Sequence, residues 1–353
     1  MNNIYNSIEL NLGIKKKLKQ NKLKIENKLI APILIIYYKI LNKYNFCLKK
    51  RNLLKNIKNG YIPISSEGYS PNATKKWINL ENQVSRQSLS IEINLLKEQI
   101  LTLKKNLPKE LCLIDLGTGI GKKGVKFVQL LLDEGFHITK YIAFDGQLLL
   151  AESAAKLVKQ ETNIETDVIV GDLMNIDNIN FTQNNCKNYL FLFLGNTIEV
   201  DTDPNKIYHV LEAVIKKYKY LILGIRFSKS GQHKNKDIKK LKAFYKIPSM
   251  LYPYSDFFTT IPKLFHKYIQ ISHKWQKDDN CLIRGINIKL PTKIRQALKI
   301  PKNHWVKFGQ PIYFRTIKQN LLNLKKFNIV SYKTKQNPKN IWDQMALFII
   351  SKR

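Results

Sequence analysis

The chain has 353 residues, 44% of them hydrophobic, which suffices for one large domain with an appendage and excludes disorder throughout. Lys and Arg total 60 against 26 Asp and Glu, for a formal net charge of +34. Only seven of the 60 are arginine (Arg51, Arg86, Arg226, Arg284, Arg295, Arg315 and Arg353), leaving 53 lysines amid abundant Asn and Ile, a pattern that A/T-rich codons produce. Base-reading surfaces favour Arg for its bidentate contacts, so the charge does not make nucleic acid the favoured partner.

Residues 1 to about 25 are Asn- and Lys-rich and read as a tail or frayed helix. The apolar stretch KLIAPILIIYYKIL (28–41) holds Pro32 and Lys39 and falls short of the ~20 residues a membrane span needs, so a packing helix is expected there and membrane association is not. Between about 50 and 80 the chain is rich in Gly, Pro, Ser and Asn and reads as a structured loop. SLSIEINLLKEQILTLKKN (88–106) restores helical spacing, and Pro108 closes that helix.

From residue 111 the period changes. LCLIDLG (111–117), ITKYIAFDG (138–146), TDVIVGD (166–172), YLFLFLG (189–195) and KYLILGI (219–225) read as strands. Between them, helices are expected after the first strand (apolar Val125, Val128, Leu131 and Leu132), at 147–160 and at 204–218. Such alternation predicts right-handed crossovers and a mostly parallel sheet covered by helices on both faces. Residues 229–310 are less regular and aromatic-rich, as in AFYKIPSMLYPYSDFF, and are expected to form an inserted α+β layer on the substrate side. In the closing segment, 311–353, TIKQNLLNLKKF (316–327) reads as a helix and NIVSYKT (328–334) and MALFIISK (345–352) as strands, the last suited to antiparallel insertion. The domain reading is thus an N-terminal basic, helical segment with a substrate-side loop (1–94), a cofactor-binding core (95–228), the insertion and the closing segment.

Cys47, Cys112, Cys186 and Cys281 form no CxxC pair, and Cys112 lies within an apolar run, so a reducing, cytoplasmic setting without structural zinc is expected. The six histidines show no HExxH spacing, and no metal is expected.

IDLGTGIGKKG (114–124) joins the first strand to the first helix. Gly117, Gly119 and Gly121 permit a tight turn that brings backbone N–H groups and a helix N-terminus close to a ligand. Asp145 ends the second strand, where a carboxylate can accept from a ribose diol, and Asp172 in GDLMN ends the third, near an adenine amino group. Each Asp alone also suits a turn or helix cap. No Walker Lys-hydroxyl pair follows the glycines, which disfavours a P-loop. Five parallel strands, a helix and two closing strands give the class I methyltransferase layout: α/β, Rossmann-like, with a mostly parallel seven-stranded sheet, an N-terminal helical part and the inserted layer. The implied cofactor is S-adenosylmethionine, whose carboxylate needs a cation that Lys122 or Lys123 can supply.

These strings resemble the S-adenosylmethionine-dependent histidine N-alpha-methyltransferases of ergothioneine biosynthesis and their relatives acting on amino acids, over about residues 60–353. IDLGTGIGKKG, Ala143-Phe144-Asp145, Gly171-Asp172 and LILG (221–224) carry the resemblance, and FLGNTIEV (193–200) is its most specific part. It implies a cofactor site of Tyr69, Asp115, Gly117, Thr118, Gly119, Gly121, Lys123, Asp145, Gly146, Gly171, Asp172, Leu173 and Gly195. In it Lys123 holds the carboxylate, Tyr69 closes over the cofactor, and Gly195 leaves room for substrate.

The sequence departs from the family at substrate positions. Val200 stands where the family has an amino-group-binding asparagine, Glu199 replaces the glycine before it, and the Tyr-Tyr-Pro-Thr stretch is absent ahead of Glu92. IYFRTIKQ (312–319) holds no carboxylate, although Thr316 offers a hydroxyl. Valine accepts no hydrogen bond, and an imidazole N–H needs an acceptor, so the resemblance does not carry histidine over as substrate. Glu199 and Thr197 are the candidate catalytic residues, with Asn196, Val200 and Thr316 around the substrate, a small amine or amino-acid-like molecule. Asp203 before Pro204 reads as a helix cap. The competing readings are an RNA or other macromolecular acceptor, and an inactive methyltransferase fold serving as a scaffold.

Overall fold

The computed structural model describes residues 57–62, 74–75, 78–79, 90–181, 186–195, 204–228, 235–244, 263–278, 281–308, 312–335 and 344–352. The expectations for the N-terminal tail, the 28–41 stretch, Cys47 and most of AFYKIPSMLYPYSDFF fall outside these residues. The chain divides into two compact units, 1–60 with 287–306, and 61–286 with 307–353. In the smaller unit the Ile57 carbonyl meets His304 Nε2 at 2.5 Å, and residues Thr292–Leu298 form a helix.

The larger unit is built on the seven-stranded sheet. Its strands are β1 (Glu110–Leu116), β2 (His137–Asp145), β3 (Thr166–Val170), β4 (Tyr189–Phe193), β5 (Lys219–Arg226), β6 (Asn328–Lys335) and β7 (Met345–Ser351). They lie in the order β6-β7-β5-β4-β1-β2-β3. The first five are mutually parallel, and β7 runs antiparallel between β5 and β6. Strand order therefore reverses beside β1, and the helices that follow β1 and β4 pack on opposite faces of the sheet, which marks the switch point at which such sheets form a ligand crevice. This order, with its reversed seventh strand, is the class I fold of S-adenosylmethionine-dependent methyltransferases.

Both faces of the central strands are apolar, and the period of two sends alternate residues into separate cores. Leu111 and Leu113 of β1, Leu190 and Leu192 of β4, and Leu347 and Ile349 of β7 pack on one side. There they meet helices α2 (Lys122–Asp133) and α3 (Leu148–Thr162). Cys112 and Ile114, Phe191 and Phe193, and Phe348 and Ile350 face the other side, against α4 (Pro204–Tyr218). Tyr218 there closes an aromatic cluster with Phe181 and Phe191, its ring centroid 5.7 Å and 5.2 Å away. Burial drives the Cys112 thiol pKa well above its usual value, leaving an inert packing group.

The expected helix at 88–106 is two pieces, 90–97 and α1 (Ile100–Asn106). Leu107 leaves the helix in extended backbone because Pro108 follows and disfavours the helical region for its predecessor. Glu92, Leu95, Leu96, Gln99 and Leu103 are all buried, at helical spacing. Gln99 bonds from its amide nitrogen to the Leu347 carbonyl and accepts from the Ser331 hydroxyl, tying this helical stripe to β7 and β6. Between the core and the closing segment, Lys274–Gln276, Cys281–Ile283 and Ile312–Tyr313 form a three-stranded antiparallel sheet. No helix among the described residues is long and apolar enough to cross a membrane.

Candidate active site

The glycine-rich turn follows β1 and is pinned to the end of β2. Gly117 N and Thr118 N both donate to the Phe144 carbonyl, at 2.8 and 3.2 Å, and Gly119 N donates to Asp145 Oδ2 at 3.2 Å. Gly121 begins α2 in the left-handed region at φ 81°, and an added Cβ would lie 2.6 Å from Ala154 Cα. Only glycine lets α2 start this close to α3.

Beneath the turn lies a closed polar triangle. Tyr141 Oη donates to Asp115 Oδ2 at 2.6 Å, Thr118 Oγ1 donates to the same oxygen at 3.0 Å, and the two hydroxyls are 2.8 Å apart. All three residues are buried, and desolvation pushes the Asp115 carboxyl up to about 6, against the lowering effect of the two hydroxyls and Lys123. Asp115 and Thr118 thus brace the turn from below. Tyr141→Phe removes the strongest of those bonds and is expected to cost about 1–3 kcal/mol in denaturant unfolding. The loss should be larger at about pH 8 than at about pH 5, because the ionised carboxylate depends most on the donor; equal losses would contradict this account.

Asp145 is half-buried at the tip of β2. Its Oδ1 accepts from Gln147 N at 3.0 Å and its Oδ2 from Gly119 N, which leaves lone pairs on both oxygens for a diol. Desolvation, reinforced by the Asp115 charge, pushes its carboxyl up to about 6 despite the N–H donors of Gln147, Gly119 and Gly146. An acid raised in the folded state makes folding take up a proton, so this group's effect on stability is most favourable below about pH 4 and worsens as pH rises through 6. Ligand binding through the ionised carboxylate has the opposite sense, weakening below about pH 6. The affinity for S-adenosylmethionine is expected to fall about tenfold between about pH 7.5 and pH 5, and a flat profile would remove Asp145 from the site.

At the end of β3, Asp172 caps the turn Leu173–Asn178, its Oδ1 accepting from Met174 N at 2.9 Å. Gly171 N donates to the Asp145 carbonyl at 3.1 Å, which holds this strand end against that of β2. An added Cβ on Gly171 would press on the Phe144 ring at 3.2 Å. Leu148, Leu149 and Val170 are exposed beside these acids, at 53%, 47% and 49%. Apolar side chains left in water at the mouth of a polar crevice suit the faces of a flat heteroaromatic ring. Sequence alone does not single them out, because an apolar residue opening a helix or ending a strand looks like core.

Gly195, after β4, adopts φ 81°, and its N–H donates to Glu92 Oε1 at 2.6 Å. The space an added Cβ would fill is held by Lys123 Nζ, 2.8 Å away, and Lys123 pairs with Glu92 Oε2. Glu92 belongs to none of the sequence motifs, yet its side chain is fully buried. The available signal was a lone carboxylate on the apolar stripe shared with Leu95, Leu96 and Leu103.

Thr316 stands just beyond β5, bridged to Ser228, and its hydroxyl forms a capping box with Gln319 at the start of α5 (Ile317–Asn323). Gly146 lies between Asp145 and the Gln147 that caps α3. Tyr69, Asn196, Thr197, Glu199 and Val200 lie outside the described residues. The structure therefore brings together the turn, Lys123, Asp145, Asp172 and Gly195 at the carboxyl ends of four adjacent strands.

No protein-family model matches the sequence, and no curated protein matches it. Among solved structures, the plantazolicin methyltransferase BpumL, in complex with a triazolic desmethylPZN analog and SAH, is 14% identical with a TM-score of 0.38 over 86% of this chain and 99% of its own. A SAM-dependent methyltransferase from Anabaena variabilis is 14% identical with a TM-score of 0.37 over 80% and 96%. The N-methyltransferase NodS from Bradyrhizobium japonicum is 8% identical with a TM-score of 0.34 over 73% and 94%. Scores this low carry no weight for substrate or activity, and the fold assignment stands on the strand order.

Proposed function

We propose that the chain is an S-adenosylmethionine-dependent methyltransferase whose acceptor is a small amine or amino-acid-like molecule. The observation that carries this reading is the convergence of the glycine-rich turn with Asp145 and Asp172 at the carboxyl ends of β1, β2 and β3, beside the reversal of strand order. In this reading the backbone of Gly117, Thr118, Gly119 and Gly121 passes beneath the cofactor. Asp145, with Gly146, accepts from its ribose hydroxyls. Asp172, Gly171 and Leu173 take its adenine edge, between the exposed Leu148 and Val170. Lys123 serves its carboxylate, and Tyr69 covers it.

Bound cofactor supplies an electrophilic methyl group on a sulfonium, and the protein's part is to align the nucleophile with it and keep water out. Residues 196–200 follow Gly195 at the end of β4, so Asn196, Thr197 and Glu199 are the groups proposed to face the acceptor, with Glu199 orienting its ammonium or taking its proton. Val200 and Thr316 are assigned to the acceptor pocket. The kinship to histidine N-alpha-methyltransferases is proposed at the level of architecture, with an acceptor other than histidine, because Val200 offers no acceptor for its amino group. A cytoplasmic setting suits Cys112, Cys186 and Cys281, none of which forms a disulfide.

The test is incubation with S-adenosylmethionine and a panel of amino acids and biogenic amines, read as the mass gained by one methyl group and as S-adenosylhomocysteine released. Turnover of at least one amine, lost in Glu199→Gln, is expected. Cofactor binding with no turnover on any amine, and turnover on RNA, would overturn the acceptor class.

A further inference from the structure

The buried contact between the helix at 90–97 and the sheet is unusual in its chemistry. Glu92 is wholly withdrawn from solvent, yet it spends one oxygen on the Gly195 N–H and the other on the ammonium of Lys123. Two glycines make room for the pair. A Cβ on Gly224 of β5 would sit 2.5 Å from Glu92 Oε1, and one on Gly195 would sit 2.8 Å from Lys123 Nζ. Four elements have thus given up volume or a hydrogen-bonding group to seat two opposite charges. Stability alone does not account for this, since a buried ion pair of this kind is commonly no better than well-packed apolar side chains.

The placement suggests a different use. The Lys123 side chain remains 17% exposed, at the base of the glycine-rich turn and beside Gly195. The field of the pair reaches the turn, because Lys123 lowers and Glu92 raises the pKa of the buried Asp115 beneath it. We infer that Glu92 is a positioning residue that neutralises Lys123, so that the methionyl end of the crevice can donate hydrogen bonds to a carboxylate without presenting a bare cation to the adjacent sulfonium. The inference rests on the cofactor reading given above. The ammonium has three protons; the ion pair with Glu92 engages one side of it, and the inference assigns the remaining protons to the ligand. The paired lysine contributes little net charge, and a cationic donor is then tolerated as well as its neutral product.

This gives a charge signature that a purely structural bolt lacks. Glu92→Gln keeps an acceptor for the Gly195 N–H but strips Lys123 of its counter-charge. S-adenosylmethionine, with its sulfonium, and S-adenosylhomocysteine, without it, share every other group. Calorimetric dissociation constants for both ligands should be measured on the wild type, on E92Q and on E92Q/K123Q, with thermal melts of each unliganded chain. In E92Q the preference is expected to move about fivefold toward S-adenosylhomocysteine, and E92Q/K123Q, which holds neither charge, should return the ratio to the wild-type value with both ligands weakened. An unmoved ratio in E92Q, or a shift that survives removal of Lys123, would overturn the inference.

Should E92Q fail to melt cooperatively, the wild type decides. A neutral floor requires the two ligands to bind within about threefold of each other, and a preference for S-adenosylhomocysteine above about tenfold contradicts it. Binding of neither ligand to the wild type would remove the cofactor reading, and this inference with it. Binding of both with an unmoved ratio would remove the inference alone.

Discussion

Gly121→Ala is expected to destabilise the chain by about 3 kcal/mol in denaturant unfolding, the largest single effect on stability drawn from this site. Two costs add. The backbone stands at φ 81°, where a side chain costs roughly 1–2 kcal/mol, and the new methyl group meets the Ala154 backbone at 2.6 Å and 3.0 Å, where no rotamer change can relieve it. Gly135→Ala isolates the two, because Gly135 has φ 82° but nothing within 4 Å of an added Cβ. It should therefore lose only the backbone part, about 1 kcal/mol. If the two variants unfold within about 0.5 kcal/mol of each other, α2 does not rest on α3 as described. The turn that α2 carries would then lose its assigned rigidity.

The second large effect concerns binding. Asp145→Ala is expected to raise the dissociation constant for S-adenosylmethionine at least about tenfold, or ~1.4 kcal/mol, since the carboxylate holds Gly119 N and, in the proposed reading, accepts from the ribose. Asp145→Asn separates binding from folding. The amide can still accept from Gly119 N or Gln147 N, and it removes a carboxyl that desolvation has raised to about 6. At about pH 7.5 the wild type is above that value and holds the charge against its desolvation cost, so the Asn variant should be at least as stable while binding the cofactor about tenfold more weakly. Parallel loss of stability and affinity would mark Asp145 as a structural cap and remove it from the ligand site.

The sheet was legible because each of the first four strands is a short apolar run closed by Gly or Asp, and each helix between has its own amphipathic period. YLFLFLG reads as a strand by itself, and MALFIISK as one that must be buried on both faces, which β7 is, between β5 and β6. The glycine-rich turn and the acids at the ends of β2 and β3 were legible for the same reason, since strand ends in a parallel sheet meet at one edge. What sequence could not supply was pairing at long separation. Glu92 lies 103 positions before Gly195, and nothing local in SIEINLL says that its carboxylate will sit beneath β4. The same holds for Tyr141, whose hydroxyl reads as half-exposed strand polarity until Asp115 and Thr118 close around it. Gly195 illustrates the limit most plainly. Its glycine character was evident, whereas the occupant of the vacated space, Lys123, followed only from three-dimensional placement.

Calorimetric titration of the full chain with S-adenosylmethionine at moderate salt and about pH 7.5 tests the central claim most directly. Binding at one equivalent with a micromolar dissociation constant, weakened about tenfold by Asp145→Ala, is the result the turn, Asp145 and Asp172 require. A folded chain with no detectable binding of S-adenosylmethionine or S-adenosylhomocysteine would contradict it, and leave a methyltransferase fold put to a use other than methyl transfer.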